Sequence, residues 1–60
     1  MIERGKIVTA DNGLYTVASL DRDGVISLPI AAADNTAYAV DDMVYFLIFN
    51  DGTGKILFAV

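Results

Sequence analysis

The sequence has no cysteine, no histidine and no tryptophan, and it has only 4 basic residues among 60. Without cysteine the chain cannot form a disulfide, and without cysteine and histidine it cannot build the usual structural zinc sites. Ser–His–Asp and Cys–His arrangements and imidazole acid–base catalysis are excluded for the same reason. These absences predict a protein that is not an enzyme and that has no catalytic, metal-binding or cofactor-binding residues.

Charge is scarce and mostly of one sign. Eight acidic residues against four basic ones give a formal net charge of −4, and the basic residues are scattered along the chain. Nucleic-acid binding needs clustered lysine and arginine, so nucleic acid is not an expected partner. No uncharged run approaches the roughly 20 residues that span a bilayer, and no signal peptide is visible. We therefore expect a cytoplasmic protein that does not contact the membrane.

What the chain has in abundance is apolar residues, which make up 55% of it. Its length allows a single domain, residues 1–60, and a chain this short buries only about 60% of the surface that its unfolded form exposes. Small domains are commonly stabilised by disulfides, a metal or association with another chain. Since the first two have no residues to form them, we expect a homo-oligomer or a complex with a protein partner.

Turn-forming residues divide the chain into short β-prone segments. Asn12-Gly13, Asp23-Gly24 and Asp51-Gly52 tolerate the positive φ angles that tight hairpins need. The pattern predicts an all-β domain with a single five-stranded antiparallel, partly open small barrel, OB-like first and SH3-like as the alternative. A long connection, residues 31–42, is expected to cross the end of the barrel. The predicted strands are 5–10, 14–20, 25–30, 43–49 and 55–60.

Alternation of apolar residues within these segments predicts the core. Pro29 cannot donate a ladder hydrogen bond, so we expect it at a sheet edge or at the end of a strand. The predicted core residues are Ile7, Leu14, Val17, Ile26, Leu28, Val40, Val44, Phe46, Ile48 and Leu57.

The last hairpin carries the main functional prediction. Residues 43–49 show no polar alternation, and a loop at 51–54 would pair Asn50 with Lys55 and Phe49 with Ile56. Because cross-strand partners share a face, the hairpin would be apolar on both faces, whereas one small barrel has a single interior. The outer face therefore needs a cover outside the barrel. We predict that it binds a partner through Tyr45, Leu47, Phe49, Phe58 and Val60.

Three short motifs lack the residues that would make them functional sites. Asp21-Arg22-Asp23-Gly24 opens like a calcium loop, but the glycine and glutamate that an EF-hand needs further on are missing. Gly52-Thr53-Gly54-Lys55 lacks the first glycine of a phosphate-binding loop. We predict hairpin turns at both. Asp41-Asp42 would point to opposite faces of a strand, which suits a structural role better than a shared proton or metal.

An alternative function is a small OB-like binding module for an oligosaccharide or an oligonucleotide. In this interpretation Tyr15 is exposed on the face of the second and third strands and stacks on the ligand, and Arg22 lies nearby.

The order of the motifs resembles a known family. Gly5-Lys6-Ile7-Val8 opens a strand, a tight turn precedes Gly13-Leu14-Tyr15, and Val40-Asp41-Asp42-Met43-Val44 leads into the fourth strand. The chain is similar to the small OB-like barrels of contractile-phage tail, baseplate and spike (hub) proteins, where a Val-Gly-Asp-x-Val segment enters that strand. Asp41 stands where the family has glycine. The resemblance implies a non-enzymatic structural or assembly component of a phage or prophage virion, with no active-site residues to carry over.

Overall fold

In a computed structural model, which describes residues 2–60, the protein is a five-stranded β-barrel. The strands are β1 (Ile2–Asp11), β2 (Leu14–Ser19), β3 (Ile30–Ala32), β4 (Met43–Ile48) and β5 (Gly54–Ala59). They close in the order β1-β2-β3-β5-β4. The predicted all-β, five-stranded small barrel is confirmed, although it is closed rather than partly open and its β3–β5 pair is parallel. Placing β5 between β3 and β4 gives the Greek-key character of OB-like barrels.

The first hairpin follows from its turn residues. Asp11 pairs with Leu14, and the two residues between them, Asn12 and Gly13, have φ angles of 52° and 80°. Two successive positive φ angles define the hairpin turn whose twist matches that of the flanking strands. A register shift between Ile7 and Thr9 then bends β1. The bent strand pairs with β2 along one edge and with β4 along the other.

The predicted third strand is wrong. Residues 25–29 make a single bridge to β2, between Ala18 and Ile26, and the true β3 begins after Pro29. The reason lies at Ser27, whose backbone N–H donates to Val17 while its hydroxyl accepts the Val17 N–H at 3.0 Å. The Ser27 hydroxyl thus accepts the Val17 N–H, which in a regular ladder would donate to a backbone carbonyl. The pairing of this segment with β2 therefore does not continue. Pro29 does lie at a strand end, as predicted.

Half of the predicted core is correct. Ile7, Val17, Val44, Phe46 and Ile48 are buried. Leu14, Ile26, Leu28 and Val40 are exposed and Leu57 is only half-buried, so these predictions are wrong. The core is completed instead by Tyr15, Ile30, Ala32 and Ile56.

The pairing of β4 with β5 also differs from the predicted register. Phe49 to Thr53 form the loop, Gly54 pairs with Ile48, and Lys55 pairs with Leu47 rather than with Asn50. Only glycine fits at position 54 of this ladder, because a Cβ there would overlap the carbonyl oxygen of Leu47. A register shift at Tyr45/Phe46 then skips Leu57, so that Ile56 points inward while the next paired residue is Phe58.

The long connection between β3 and β4 covers one end of the barrel. Tyr38 packs edge-on against Tyr15, with ring centroids 5.7 Å apart, and its backbone N–H donates to the Tyr15 hydroxyl at 3.1 Å. Asp41 takes a φ of 77°, and the Asp42 carboxylate accepts the Ala39 N–H at 2.9 Å. The two adjacent aspartates therefore shape the turn that leads into β4. None of the elements between residues 2 and 60 is a helix with the length and apolar character needed to cross a bilayer.

Candidate partner interface

The outward side chains of β1, β4 and β5 form one apolar surface, which we call the outer face. Register places Ile2 beside Leu47, and Tyr45 beside Phe58. The rings of Tyr45 and Phe58 lie 5.3 Å apart at an angle of 53°. Val60 extends this surface, because its N–H donates to the carbonyl of Met43 at 2.9 Å. Ile2, Phe58 and Val60 are 62%, 56% and 65% exposed, so the outer face is open in a single chain.

Of the five predicted interface residues, the structure brings four together. Tyr45, Leu47, Phe58 and Val60 belong to the outer face. Phe49 lies beyond the end of β4, where its N–H donates to Thr53 within the β4–β5 loop, and its side chain lines a separate groove. Sequence reasoning missed Ile2, because its place on the outer face depends on the pairing of the non-adjacent strands β1 and β4. It also omitted Met43, which shares the face of Tyr45 and Leu47 by alternation along β4.

Three of the four basic residues also lie on the outer face. Arg4 pairs with Tyr45, Lys6 with Met43, and Lys55 with Leu47 in the strand registers, so each shares the face of its partner. Arg4 donates to Asp21 at 2.8 Å, and Lys6 lies 3.4 Å from Asp41. Within residues 2–60, no ion pair involves Lys55. The outer face is therefore apolar with three basic residues at its border, of which Arg4 and Lys6 are compensated by acidic neighbours.

A groove of about 350 Å³ lies at the end of the barrel that contains the β4–β5 loop. Val25, Ile26 and Phe49 give it apolar walls, and Arg22 and Asn50 provide its polar atoms. Leu28 is bound to the β4–β5 loop, because its N–H donates to the carbonyl of Gly52 at 2.9 Å. Ile26 and Phe49 are both exposed at this groove.

Beside the groove lies a buried carboxylate. Glu3 points inward from β1 and is only 4% exposed. Its Oε1 accepts from the Ser19 hydroxyl at 2.6 Å, and its Oε2 lies 2.5 Å from Nη2 of Arg22. Oε2 meets no hydrogen-bond donor in good geometry among the described residues, and its close contact is the Arg22 guanidinium. Ser19 Oγ in turn accepts the N–H groups of Asp21 and Arg22, which holds the loop after β2 over the carboxylate.

The pKa values in this region follow from these contacts. The Arg22 guanidinium, followed by the Ser19 hydroxyl, lowers the pKa of Glu3 from its ordinary value of 4.5, against the opposing effect of burial. The backbone N–H and the side chain of Arg4 lower the pKa of Asp21. Glu3 is thus held ionised as one half of an ion pair. The arrangement is that of a structural clamp between β1 and the loop after β2.

The site expected for the alternative function is not where the sequence placed it. Tyr15 is buried in the core, and its hydroxyl accepts the Tyr38 N–H, so the prediction of an exposed Tyr15 is wrong. Arg22 is paired with Glu3. In the described part of the chain, no three acidic side chains converge as a metal site would require. The two predicted hairpin loops contain turns, with φ angles of 77° at Gly24 and 89° at Gly52.

No family model, no curated protein and no solved structure matches the chain. By its fold the protein is a small all-β barrel with an apolar outer face.

Proposed function

We propose that this protein is a non-enzymatic assembly module that binds another protein chain through the outer face. The observation that carries the proposal is the pairing of Tyr45 with Phe58 in the middle of an exposed apolar surface that Ile2, Leu47 and Val60 continue. Aromatic side chains at the centre of such a surface are typical of the residues that dominate binding energy.

The size of the outer face favours an interaction. From the exposed fractions of its side chains, it offers on the order of 500 Å² of apolar area, near the upper end for the largest patch on a monomeric protein. The whole molecule exposes only 3724 Å². A standard interface uses about 800 Å² from each partner, which the outer face and its charged border together approach.

Replacement of Phe58 by serine tests this proposal against a matched control, Leu14→Ser. Both side chains are outward and comparably exposed, 56% for Phe58 and 46% for Leu14, but Leu14 lies on β2, away from the outer face. Light scattering after size exclusion should show that the wild type and Leu14→Ser associate and that Phe58→Ser does not. A folded wild-type monomer at every concentration, with no binding to the products of neighbouring genes, contradicts the proposal.

The phage or prophage setting remains part of the proposal as a prediction about genome context. Neighbouring genes that encode tail or baseplate proteins would support a virion component, and metabolic neighbours would argue against it. The rival function, a module for oligosaccharides or oligonucleotides, was based on an exposed Tyr15 that stacks on the ligand. Tyr15 is in the core, so that basis is absent.

A further inference from the structure

The strand registers arrange the outer face as three rows of three residues across β1, β4 and β5. The rows are Ile2, Leu47 and Lys55; Arg4, Tyr45 and Phe58; and Lys6, Met43 and Val60. Since β4 pairs with both other strands, Tyr45 lies at the centre of the face. Arg4 and Lys6 lie on its β1 edge, whereas Phe58 and Val60 lie on its β5 edge. One edge is therefore mainly basic and the opposite edge is mainly apolar.

The excess negative charge of the protein lies away from the outer face. Arg4 and Lys6 are compensated by acidic neighbours, and buried Glu3 is paired with Arg22. The other acidic residues lie at the end of β1 or in the connections between strands, at Asp11, Asp23, Asp34, Asp42 and Asp51. A symmetric contact through those regions would bring like charges together, which is unfavourable. Two copies of this acidic chain can meet at the outer face without that repulsion.

We infer that two copies of this protein form a symmetric dimer, outer face on outer face, about a two-fold axis that runs along β4. Such an axis places the β1 edge of each copy over the β5 edge of the other. Arg4 then faces Phe58 of the second copy, and a guanidinium is attracted to the face of an aromatic ring. Lys55 faces Ile2 of the second copy, so no basic residue faces its own copy. The inference rests on the proposed function, since it names the partner of the same face.

The area of this contact suits a stable dimer. The nine residues together approach the roughly 800 Å² per partner of a standard interface, so the dimer buries about 1,600 Å² in total. Six of the nine are apolar, in keeping with the more apolar character of homodimer interfaces. Sheets packed face to face lie about 10 Å apart, a spacing at which the two copies of Tyr45 meet at the axis.

Single introduced cysteines can report which residues meet, because the chain has no cysteine of its own. Met43 lies on β4 and therefore near the axis, so Met43→Cys should be linked to its own copy by a short bismaleimide, which suits a spacing too long for a disulfide. Leu14→Cys is the matched control, because Leu14 is 46% exposed against 44% for Met43 but lies on β2. Exchange of the edges predicts that an equal mixture of Ile2→Cys and Lys55→Cys is linked more than either variant alone.

Light scattering should give the mass of two chains and no larger species, because a two-fold contact uses the same surface on both copies. Phe58→Ser should weaken the dimer at least about 30-fold, the loss expected for a central interface residue. If Phe58→Ser dissociates the protein but Met43→Cys is not linked, or the Ile2 and Lys55 mixture gains nothing, the inference is wrong and the proposed function stands. A wild-type monomer that binds a different protein through Phe58 also overturns the inference alone. A monomer with no partner overturns both.

Discussion

Removal of the Arg22 guanidinium should destabilise the protein by exposing the cost of the buried Glu3 carboxylate. In Arg22→Met, Glu3 keeps its hydrogen bond from Ser19 but loses the charge that lies 2.5 Å from its second oxygen. Breaking a buried ion pair from one side costs about 3–5 kcal/mol. Since the Arg22 side chain is itself 48% exposed, water can reach the site, and we expect about 2–3 kcal/mol. A domain of this length has only about 3–9 kcal/mol in total.

A more specific prediction concerns Glu3→Gln, made alone and together with Arg22→Met. Glu3→Gln in the wild type removes half of an ion pair and should cost about 1–2 kcal/mol. In the Arg22→Met background the same change removes an uncompensated buried charge and keeps an acceptor for the Ser19 hydroxyl. It should therefore stabilise the protein by about 1 kcal/mol. Urea unfolding followed by tyrosine fluorescence measures this, with a slope of about 1 kcal/mol per molar urea. A double variant no more stable than Arg22→Met refutes the reasoning.

The destabilisation caused by Arg22→Met should also depend on pH. In the wild type the pKa of Glu3 is lowered below its ordinary 4.5, so this carboxylate stabilises the fold above about pH 4.5 and the contribution is lost as the pH falls through the folded pKa. In Arg22→Met, burial without the guanidinium should raise that pKa. The destabilisation should then shrink as the pH is lowered from 7 towards 5. A destabilisation that is unchanged over this range would show that Glu3 is not the group responsible.

Three further substitutions test the account of the fold. Gly54→Ala should lower the free energy of unfolding in urea by more than about 3 kcal/mol, or prevent folding. The added Cβ meets the Leu47 carbonyl group, and that backbone cannot move without breaking the β4–β5 ladder. Asp41→Gly should instead stabilise the protein by about 0.5 kcal/mol in thermal unfolding, since glycine relieves a φ of 77° and the Lys6 ion pair that is lost is exposed. Tyr15→Phe should cost about 1 kcal/mol and speed hydrogen exchange at the Tyr38 amide, which loses its acceptor; an unchanged exchange rate would contradict this hydrogen bond.

The sequence predicted what depends on neighbouring residues. The Asn12-Gly13 turn was readable because positive φ angles restrict which residues can occupy it. The β4 segment was readable because its residues are uniformly apolar and β-prone, and alternation along it places Tyr45 and Leu47 on the same face. The absence of disulfides follows from composition alone, since the chain has no cysteine.

Features that depend on residues far apart in the chain were not predictable. In β2 both faces offer apolar residues, so alternation could not decide between Leu14 and Tyr15; the Tyr38 N–H decides, because it provides a partner for a buried hydroxyl. The position of β3 depends on the Ser27 hydroxyl reaching Val17, ten residues away. In both cases a polar side chain competes with the regular pattern, and its partner is known only when the chain is folded.

The outer face shows the same division between sequence and tertiary structure. Composition and local pattern by themselves determined a small all-β chain with more apolar surface than one barrel interior can hold, because these properties depend on residue type and short-range spacing. Tertiary structure alone decided that β1 joins this surface, that three basic residues border it, and that Phe49 lines the groove instead. The physical reason is closure of the barrel, which brings β1 and β4 together across 30 residues or more and sets a register that no local segment specifies.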